Sequence, residues 1–253
     1  MPAGFCAAEV HAHTLASDGM VTAPELVRAA AAAGLGVLCV TDHDVIPDLA
    51  EAVDVGAELG VDVVRGEEVT CVFPPGTHIV GLFLDRQVRM HMSAENTVDA
   101  IRDQGGLAIV AHPFMPTYFA SMSERRLDAL LETRTVDGIE IRHTAPVLPG
   151  AWKRLDEYYA THRDRLGAAV GAGDSHFGAA DIGRTVTVFE GAGAAGLRRA
   201  LEDRATSPLA GIQPTAPGWR ARAAQQRRSM IWLSHQRRIG RVGGGVGPPT
   251  AAG

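Results

Sequence analysis

The chain has 253 residues, of which 46% are hydrophobic and 21% are charged, and a formal net charge of −5. This length suffices for one large α/β domain with its own core. No run reaches the roughly 18 to 20 apolar residues of a membrane span, and no basic N-terminal region precedes a long apolar segment. The three cysteines lack CxxC spacing and are expected to be reduced thiols. The sequence therefore predicts a cytoplasmic protein.

Seven apolar runs of strand length each carry histidine, aspartate or glutamate at one end. In chain order they occupy residues 8–19, 37–44, 61–68, 77–82, 107–113, 136–143 and 168–176. Seven of the ten histidines lie within these runs, although chance would scatter them along the chain. The residues that carry the chemistry are therefore expected to gather where the strands end.

Helical segments with start and stop signals separate these strands. Thr22 and Glu25 have the spacing of a capping box before the alanine-rich run that Gly34 ends. The predicted helices are 26–33, 47–59, 94–104, 124–134, 152–166 and 193–204. This alternation predicts parallel strands joined by right-handed crossovers. The exception is 61–84, where the Pro74-Pro75-Gly76 turn alone separates two strands and predicts a hairpin.

An open doubly wound sheet and a closed barrel both agree with this alternation. An open sheet concentrates its site at one switch point, whereas nearly every strand of this chain contributes polar residues. A closed ring lets seven strand ends converge, as at the C-terminal mouth of a β/α barrel. We therefore favour a distorted barrel, shorter than the eight-fold version.

The strand ends supply nine candidate metal ligands. His11 and His13 are two residues apart, so both rings point to the same side of an extended segment, and the same spacing recurs in the G-D-S-H segment. Of Glu67 and Glu68 only one can face inward, and the pattern favours Glu68, with Glu67 exposed. The full set is His11, His13, Asp18, His43, Glu68, His78, His112, Asp174 and His176.

Imidazole and carboxylate ligands without cysteine favour Mn²⁺, Zn²⁺ or Fe²⁺. Nine ligands exceed the roughly four to six that one such ion uses, so two or three ions are expected, with a carboxylate such as Glu68 bridging a pair. Paired ions stabilise the attacking and leaving oxygens of a phosphoryl displacement and lower the pKa of a bound water. The ligand set therefore indicates phosphoester hydrolysis.

Six motifs occur in a fixed order over about residues 8–190: H-A-H-T-L-A-S-D-G, T-D-H-D, G-E-E-V-T, H-I-V-G-L, A-H-P and G-D-S-H. On these motifs the chain resembles the polymerase and histidinol phosphatase (PHP) domain family. Two departures, Glu9 in place of the commoner aspartate and Glu67 in place of an apolar residue, remove no ligand.

The resemblance implies a distorted (β/α)₇ barrel with a trinuclear metal centre at the C-terminal ends of the strands. It implies that a metal-activated hydroxide attacks phosphorus, so that no side-chain nucleophile is needed. It assigns one ion to His11, His13, Glu68 and Asp174, a second to Glu68, His78 and His112, and a third to Asp18, His43 and His176.

Two candidate catalytic residues that would contact the substrate follow the strand at 139–141. Arg142 and His143 would clamp a phosphate or protonate the leaving group; a surface Arg-His pair is the alternative interpretation. The loop 114–121, with Tyr118 and Phe119, is a candidate for packing on a base or sugar.

Charge divides the chain near Pro214. Residues 1–213 carry 17 basic and 29 acidic residues, a balance of −12, whereas residues 214–253 carry seven arginines and no acid. We therefore predict a catalytic barrel over 1–213 and a basic, Gly/Pro-rich tail over 214–253, in which residues 220–241 could form one basic helix. The leading interpretation of the tail is a flexible extension; the alternative is a surface for an acidic partner, nucleic acid or a neighbouring subunit.

The leading hypothesis is a metal-dependent phosphoesterase that hydrolyses a phosphomonoester of a small molecule, such as a nucleotide or sugar phosphate. The alternatives are a histidinol-phosphate phosphatase, a nuclease, and a non-catalytic metal-binding regulatory module. The charge of −12 on the barrel disfavours nucleic acid, and no membrane partner is expected.

Overall fold

The computed structural model describes residues 2–72, 76–115, 120–144, 150–210 and 217–241, without the side chains of 233 and 235–241. Its strands are β1 (Phe5–Glu9), β2 (Val37–Val40), β3 (Asp62–Thr70), β4 (His78–Leu82), β5 (Leu107–Val110), β6 (Gly138–His143), β7 (Ala168–Ala172), β8 (Thr185–Glu190) and β9 (Thr206–Ala210). Its helices are α1 (Ala23–Ala32), α2 (Ala50–Leu59), α3 (Ala94–Arg102), α4 (Glu124–Thr133), α5 (Ala151–Leu166), α6 (Gly193–Glu202) and α7 (Trp219–Arg241).

Helices α1 to α6 begin and end within three residues of the predicted bounds. The Thr22 side chain accepts from the Glu25 backbone and the Glu25 side chain accepts from the Thr22 backbone, so the predicted capping box is present. Gly60 ends α2 in the left-handed region at φ +72°. Local sequence signals therefore explain where α1 begins and where α2 ends.

Within the described residues, nine strands form one sheet in the order β7-β6-β5-β4-β3-β2-β1-β8-β9. Strands β1 to β3 are mutually parallel, as are β5 to β7. Strand β4 runs antiparallel to both β3 and β5, which confirms the predicted hairpin; Pro74 and Pro75 of its turn lie outside the described residues. Strands β8 and β9, where the sequence analysis named none, are antiparallel to their neighbours.

The sheet curls until its β1 and β7 sides meet. At the end that carries the ligands, the His13 amide donates to the Ser175 carbonyl at 2.8 Å and the Ser175 amide donates to the His11 carbonyl at 3.1 Å. Farther from this end of the barrel, the Thr187 hydroxyl of β8 accepts from the Gly171 amide at 3.1 Å and donates to the Gly171 carbonyl at 2.9 Å. The result is a nearly closed, distorted barrel, as predicted.

Alternation along the strands divides the core into an inner and an outer layer. Inside the barrel lie small and branched side chains such as Val64, Val80, Ile109 and Val170. Outside, alternate strand residues pack against α3, α4 and α5 in one cluster and against α1 and α2 in another. Helix α6 contributes Leu197, Ala200 and Leu201 to the inner cluster. The barrel interior is therefore packed below the metal-ligand end.

The C-terminal segment contains the long basic helix α7, in the stretch where the sequence analysis allowed for one, while residues 211–216 and 242–253 lie outside the described part. Among the described residues, none of the helices is both long enough and apolar enough to cross a membrane.

Candidate metal centre

The nine predicted ligands converge at one end of the barrel. Ligand atoms within 4.8 Å of one another form three groups in the described residues: His13, Asp18, His43 and His176; His11, His13 and Asp174; and His43, Glu68 and His78. His112 joins them through Glu68, because its Nε2 lies 3.0 Å from Glu68 Oε1.

Strand periodicity and direction explain this convergence. Glu68 continues the inward-facing row of β3, two residues after Gly66, because successive side chains on a strand alternate. Strand β4 runs the opposite way, and its first residue, His78, pairs with Thr70 at the end of β3. A histidine at the start of an antiparallel strand therefore reaches the same mouth as ligands at the ends of parallel strands.

Glu68 lies at the centre of the cluster. Its Oε1 is 2.6 Å from His78 Nδ1 and 3.0 Å from His112 Nε2. Its Oε2 is 3.1 Å from His11 Nε2, 3.3 Å from His13 Nε2 and 3.0 Å from His43 Nδ1. One carboxylate thus presents its two oxygens to two different sets of imidazoles, which is the arrangement of a bridging ligand.

Asp174 and Asp18 flank this centre on either side of His13. Asp174 Oδ1 is 3.2 Å from His13 Nε2 and 3.6 Å from His11 Nε2. Asp18 Oδ1 is 3.2 Å from His176 Nε2 and 3.8 Å from His43 Nε2. The two aspartates therefore mark separate ligand groups that share His13.

The positions of the donor atoms are better explained by divalent cations between them than by hydrogen bonds to one another. His11 Nε2 and His13 Nε2 lie 3.0 Å apart, close to the separation of about 3.3 Å between ligands that share a tetrahedral ion. Asp18 Oδ1, His43 Nδ1 and Glu68 Oε2 are buried without an aligned hydrogen bond among the described residues, although the last two atoms are only 3.0 Å apart. These atoms point to common positions between them, as metal ligands do.

The electrostatics of the cluster require positive charge. Burial raises the pKa of the Asp18 carboxyl, but His176 and His43 outweigh it and hold that pKa well below its ordinary value. Burial lowers the pKa of His176, but Asp18 and Asp174 raise it to about 10. Protons on the imidazoles would meet this demand in the metal-free protein, and divalent cations would replace them.

Two further carboxylates orient the ligands, and the sequence analysis did not assign them this role. Glu140 Oε1 lies 2.7 Å from His11 Nδ1, and Glu140 Oε2 accepts from the His112 amide at 2.7 Å. Glu9 accepts from the Gly173 amide at 2.7 Å and from the Ser175 hydroxyl at 3.0 Å. Such contacts fix a ligand's ring orientation and loop position. The signal for Glu140 was its alternation with Ile139 and Ile141.

Backbone strain also concentrates here. Asp44, His112 and Asp174 have φ values of 50°, 26° and 48°, a region that residues other than glycine rarely occupy. Asp44 is held by Thr70, whose amide donates to it at 2.6 Å and whose hydroxyl donates at 2.7 Å. Strain of this kind persists at functional sites where surrounding bonds determine the conformation.

Glu67 is buried, whereas the sequence analysis expected it to be exposed. It faces the opposite side of β3 from Glu68, as predicted, but that side is covered, and its Oε2 accepts from the Val88 amide at 2.7 Å. The error arose because the segment after β4 folds back over the strand. Burial raises the pKa of Glu67 well above its ordinary value.

The two predicted catalytic residues differ in their surroundings. Arg142 forms a two-pronged pair with Asp156 of α5, at 2.8 Å for each bond, and its guanidinium lies 5.2 Å from the Trp152 ring centre. Its described side-chain contacts are thus with α5 and with the neighbouring Ile141 carbonyl, and not with the predicted ligands. His143 is buried, with its ring centre 4.6 Å from that of Trp152. Tyr118 and Phe119 lie outside the described residues.

Comparison with known proteins agrees with this arrangement. A family model described as the PHP domain matches residues 9–182. The chain is 29% identical over 220 residues to a 3′,5′-nucleoside bisphosphate phosphatase of Chromobacterium violaceum, and the match covers 75% of each protein. It is 33% identical over 102 residues to a 5′-3′ exoribonuclease of Haemophilus influenzae, which covers 40% of this chain and 37% of that protein.

Among solved structures, the chain is similar to a two-domain protein from Bacteroides vulgatus that contains a predicted PHP-like metal-dependent phosphoesterase. The TM-score is 0.62 at 22% identity, and the match covers 81% of this chain and 64% of the other. This likeness shows that the two proteins share the barrel fold.

Proposed function

This chain belongs to the PHP domain family and is a metal-dependent phosphoesterase of that family, and from that premise we propose that it hydrolyses a phosphomonoester of a small molecule. The observation that carries the proposal is the position of Glu68, whose two oxygens face five imidazoles. The substrate class is a nucleotide or a sugar phosphate.

The nine residues would hold two or three divalent ions, with Mn²⁺, Zn²⁺ or Fe²⁺ as the candidates for this donor set. His11, His13, Glu68 and Asp174 would hold one ion, Glu68, His78 and His112 a second, and Asp18, His43 and His176 a third. Such ions supply activation of a bound water and neutralisation of charge on the phosphoryl oxygens. Glu140 keeps the His11 ring turned so that its Nε2 faces the cluster.

His143 is the candidate general acid that would donate a proton to the leaving group. Burial lowers its pKa to about 4, so the free enzyme holds it as a neutral imidazole near pH 7. Neither ring nitrogen has a hydrogen-bond partner among the described residues. A bound phosphate dianion would raise its pKa and enable it to donate a proton. Arg142 would contact substrate only if its pair with Asp156 opened.

A small substrate is favoured over a polymer by charge and by similarity. The barrel's balance of −12 repels a long polyanion, while a small ester interacts mainly with the ligand cluster. The match to the bisphosphate phosphatase, whose name gives a small-molecule substrate, covers three quarters of this chain.

Exoribonuclease activity is the second candidate. It is supported by the match to the Haemophilus influenzae protein and by the arginine-rich helix α7, which contacts Asp18 through Gln225 and Ser229. A basic helix beside a metal ligand is a position where a phosphate backbone can bind.

The test is a substrate panel with added Mn²⁺: p-nitrophenyl phosphate, sugar phosphates, a 3′,5′-nucleoside bisphosphate and a 5′-phosphorylated oligoribonucleotide. We expect turnover of the small monoesters, its abolition by a chelator, and a kcat/KM at least about 100-fold lower in His11→Ala, because a ligand matters at least as much as its supporting residues.

The matched control is His162→Ala, since His162 lies on α5 and contacts Tyr158 rather than the cluster. This variant should retain wild-type rates. Hydrolysis of the oligonucleotide alone would favour the nuclease, and hydrolysis of no ester by metal-loaded protein would contradict the enzyme assignment.

A further inference from the structure

Helix α7 packs against the barrel through a polar face. Its partly buried positions are Ala221, Gln225, Arg228, Ser229 and Trp232, which recur every three or four residues and so share one side of the helix. The intervening residues, among them Gln226, Arg227 and Met230, are exposed. Because three of these five positions, Gln225, Arg228 and Ser229, are polar, specific hydrogen bonds contribute to where this helix sits.

Those bonds reach a predicted metal ligand. The Gln225 side-chain amide donates to Asp18 Oδ2 at 3.1 Å, and the Ser229 hydroxyl donates to the same oxygen at 2.7 Å. Arg228 donates to the carbonyls of Leu15 and Ser17 at 3.1 and 3.0 Å, in the loop that leads to Asp18. Helix α7 therefore holds both the carboxylate and the backbone that carries it.

The two oxygens of Asp18 have different surroundings. Oδ2 is occupied by the two α7 side chains, whereas Oδ1 lies 3.2 Å from His176 Nε2. Oδ1 is buried and has no aligned hydrogen bond in the described part of the chain. A carboxylate held at one oxygen by neutral donors presents the other oxygen, in a fixed orientation, to a cation.

We propose that Gln225 and Ser229 are positioning residues of the metal centre, which act through Asp18 on the ion held by Asp18, His43 and His176. This inference rests on the proposed metal-dependent function. Helix α7 lies beyond residues 9–182 that the family model matches, so this chain supplies the outer part of that site from its own C-terminal segment.

Mn²⁺ titration of the full-length, chelator-stripped protein tests the proposal, with bound metal counted by elemental analysis. In the double variant Gln225→Ala with Ser229→Ala, one ion should bind about 10- to 100-fold more weakly, while the other binding steps keep their wild-type affinity. Two single variants at Ser229 are compared in addition. Ser229→Ala should weaken binding of that ion, whereas Ser229→Thr, which keeps the hydroxyl, should bind it with most of the wild-type affinity.

The chain offers matched controls on the same helix. Gln226 is the exposed neighbour of Gln225, and the exposed Ser234 bonds only to the Met230 carbonyl among the described residues. Gln226→Ala with Ser234→Ala makes the same chemical changes without touching Asp18 and should titrate as wild type.

Three outcomes would overturn the proposal: a double variant that titrates as wild type, a control pair that loses the same affinity, or a wild-type protein in which the Asp18 group takes no ion. Circular dichroism at each step shows whether α7 remains helical. Because the readout is binding, a wild type that binds all its ions but hydrolyses no ester contradicts the proposed function alone.

Discussion

At the scale of single residues, buried carboxylates outside the predicted ligand set support the centre through hydrogen bonds to the ligands and to the loop that carries them. Glu140 supports His11 and His112 at once, and Asp42 accepts from the Thr14 amide at 2.8 Å and from the Ser17 hydroxyl at 2.5 Å. The sequence indicated which residues would cluster, because the spacing of the predicted ligands follows strand geometry. It could not identify partners such as Glu140 with His11, which are 129 residues apart, because only the closed barrel brings them together.

His143 provides a prediction at this scale. Its pKa is lowered to about 4 by burial, against an ordinary value of about 6.5. Between these values the unfolded chain binds a proton that the folded chain does not. The contribution of His143 to the free energy of unfolding is therefore fully present above pH 6.5 and declines as the pH falls towards 4, by at most about 3 kcal/mol.

The measurement is chemical denaturation of metal-free wild type and His143→Asn at several pH values. Wild type should lose stability relative to the variant between pH 6.5 and 4, because asparagine does not titrate. Parallel profiles for the two proteins would show that the folded state does not keep His143 neutral.

At the scale of elements, the order and direction of strands decide which residues meet. The even-numbered residues Ala168, Val170 and Ala172 face the interior, and Asp174 and His176 continue the same spacing into the site. The period of two was visible in the sequence. The sequence did not show that the Glu67 side of β3 is buried, because this burial depends on how the irregular segment after β4 folds back over the strand.

Gly171 provides a prediction for the closure of the barrel. A Cβ at this position would lie 2.4 Å from the Val186 carbonyl oxygen and 3.1 Å from Pro208 Cα, both of which are backbone atoms. Gly171→Ala must therefore separate β7 from β8 and strain the Thr187 bonds. We expect a loss of about 1 to 3 kcal/mol in the free energy of unfolding.

Denaturant unfolding of Gly171→Ala beside Gly218→Ala measures this effect. Within the described part of the chain, no atom lies within 4 Å of a Cβ added at Gly218, so this variant should match wild type closely. Equal stabilities of the two variants would mean that β7 does not pack against β8 as described.

At the scale of the whole molecule, the barrel and its C-terminal helix carry opposite charge and meet beside the cluster. The sequence showed the charge division near Pro214 and a basic stretch that could form a helix after it. It did not show that α7 contacts Asp18, because a contact between residues 18 and 229 depends on where the barrel places its first loop. The boundary at 213/214 stays a prediction, as does the role of the arginines on the exposed side of α7.

The central claim is that one cluster of six histidines and three carboxylates binds more than one catalytic ion. The most direct measurement is an anomalous difference map from crystals of the Mn²⁺-loaded protein. We predict at least two peaks, each about 2.0 to 2.3 Å from its ligand atoms, with Glu68 oxygens bound to two of them. A map with no peak inside the cluster, or with a single peak that Glu68 does not touch, would contradict the account.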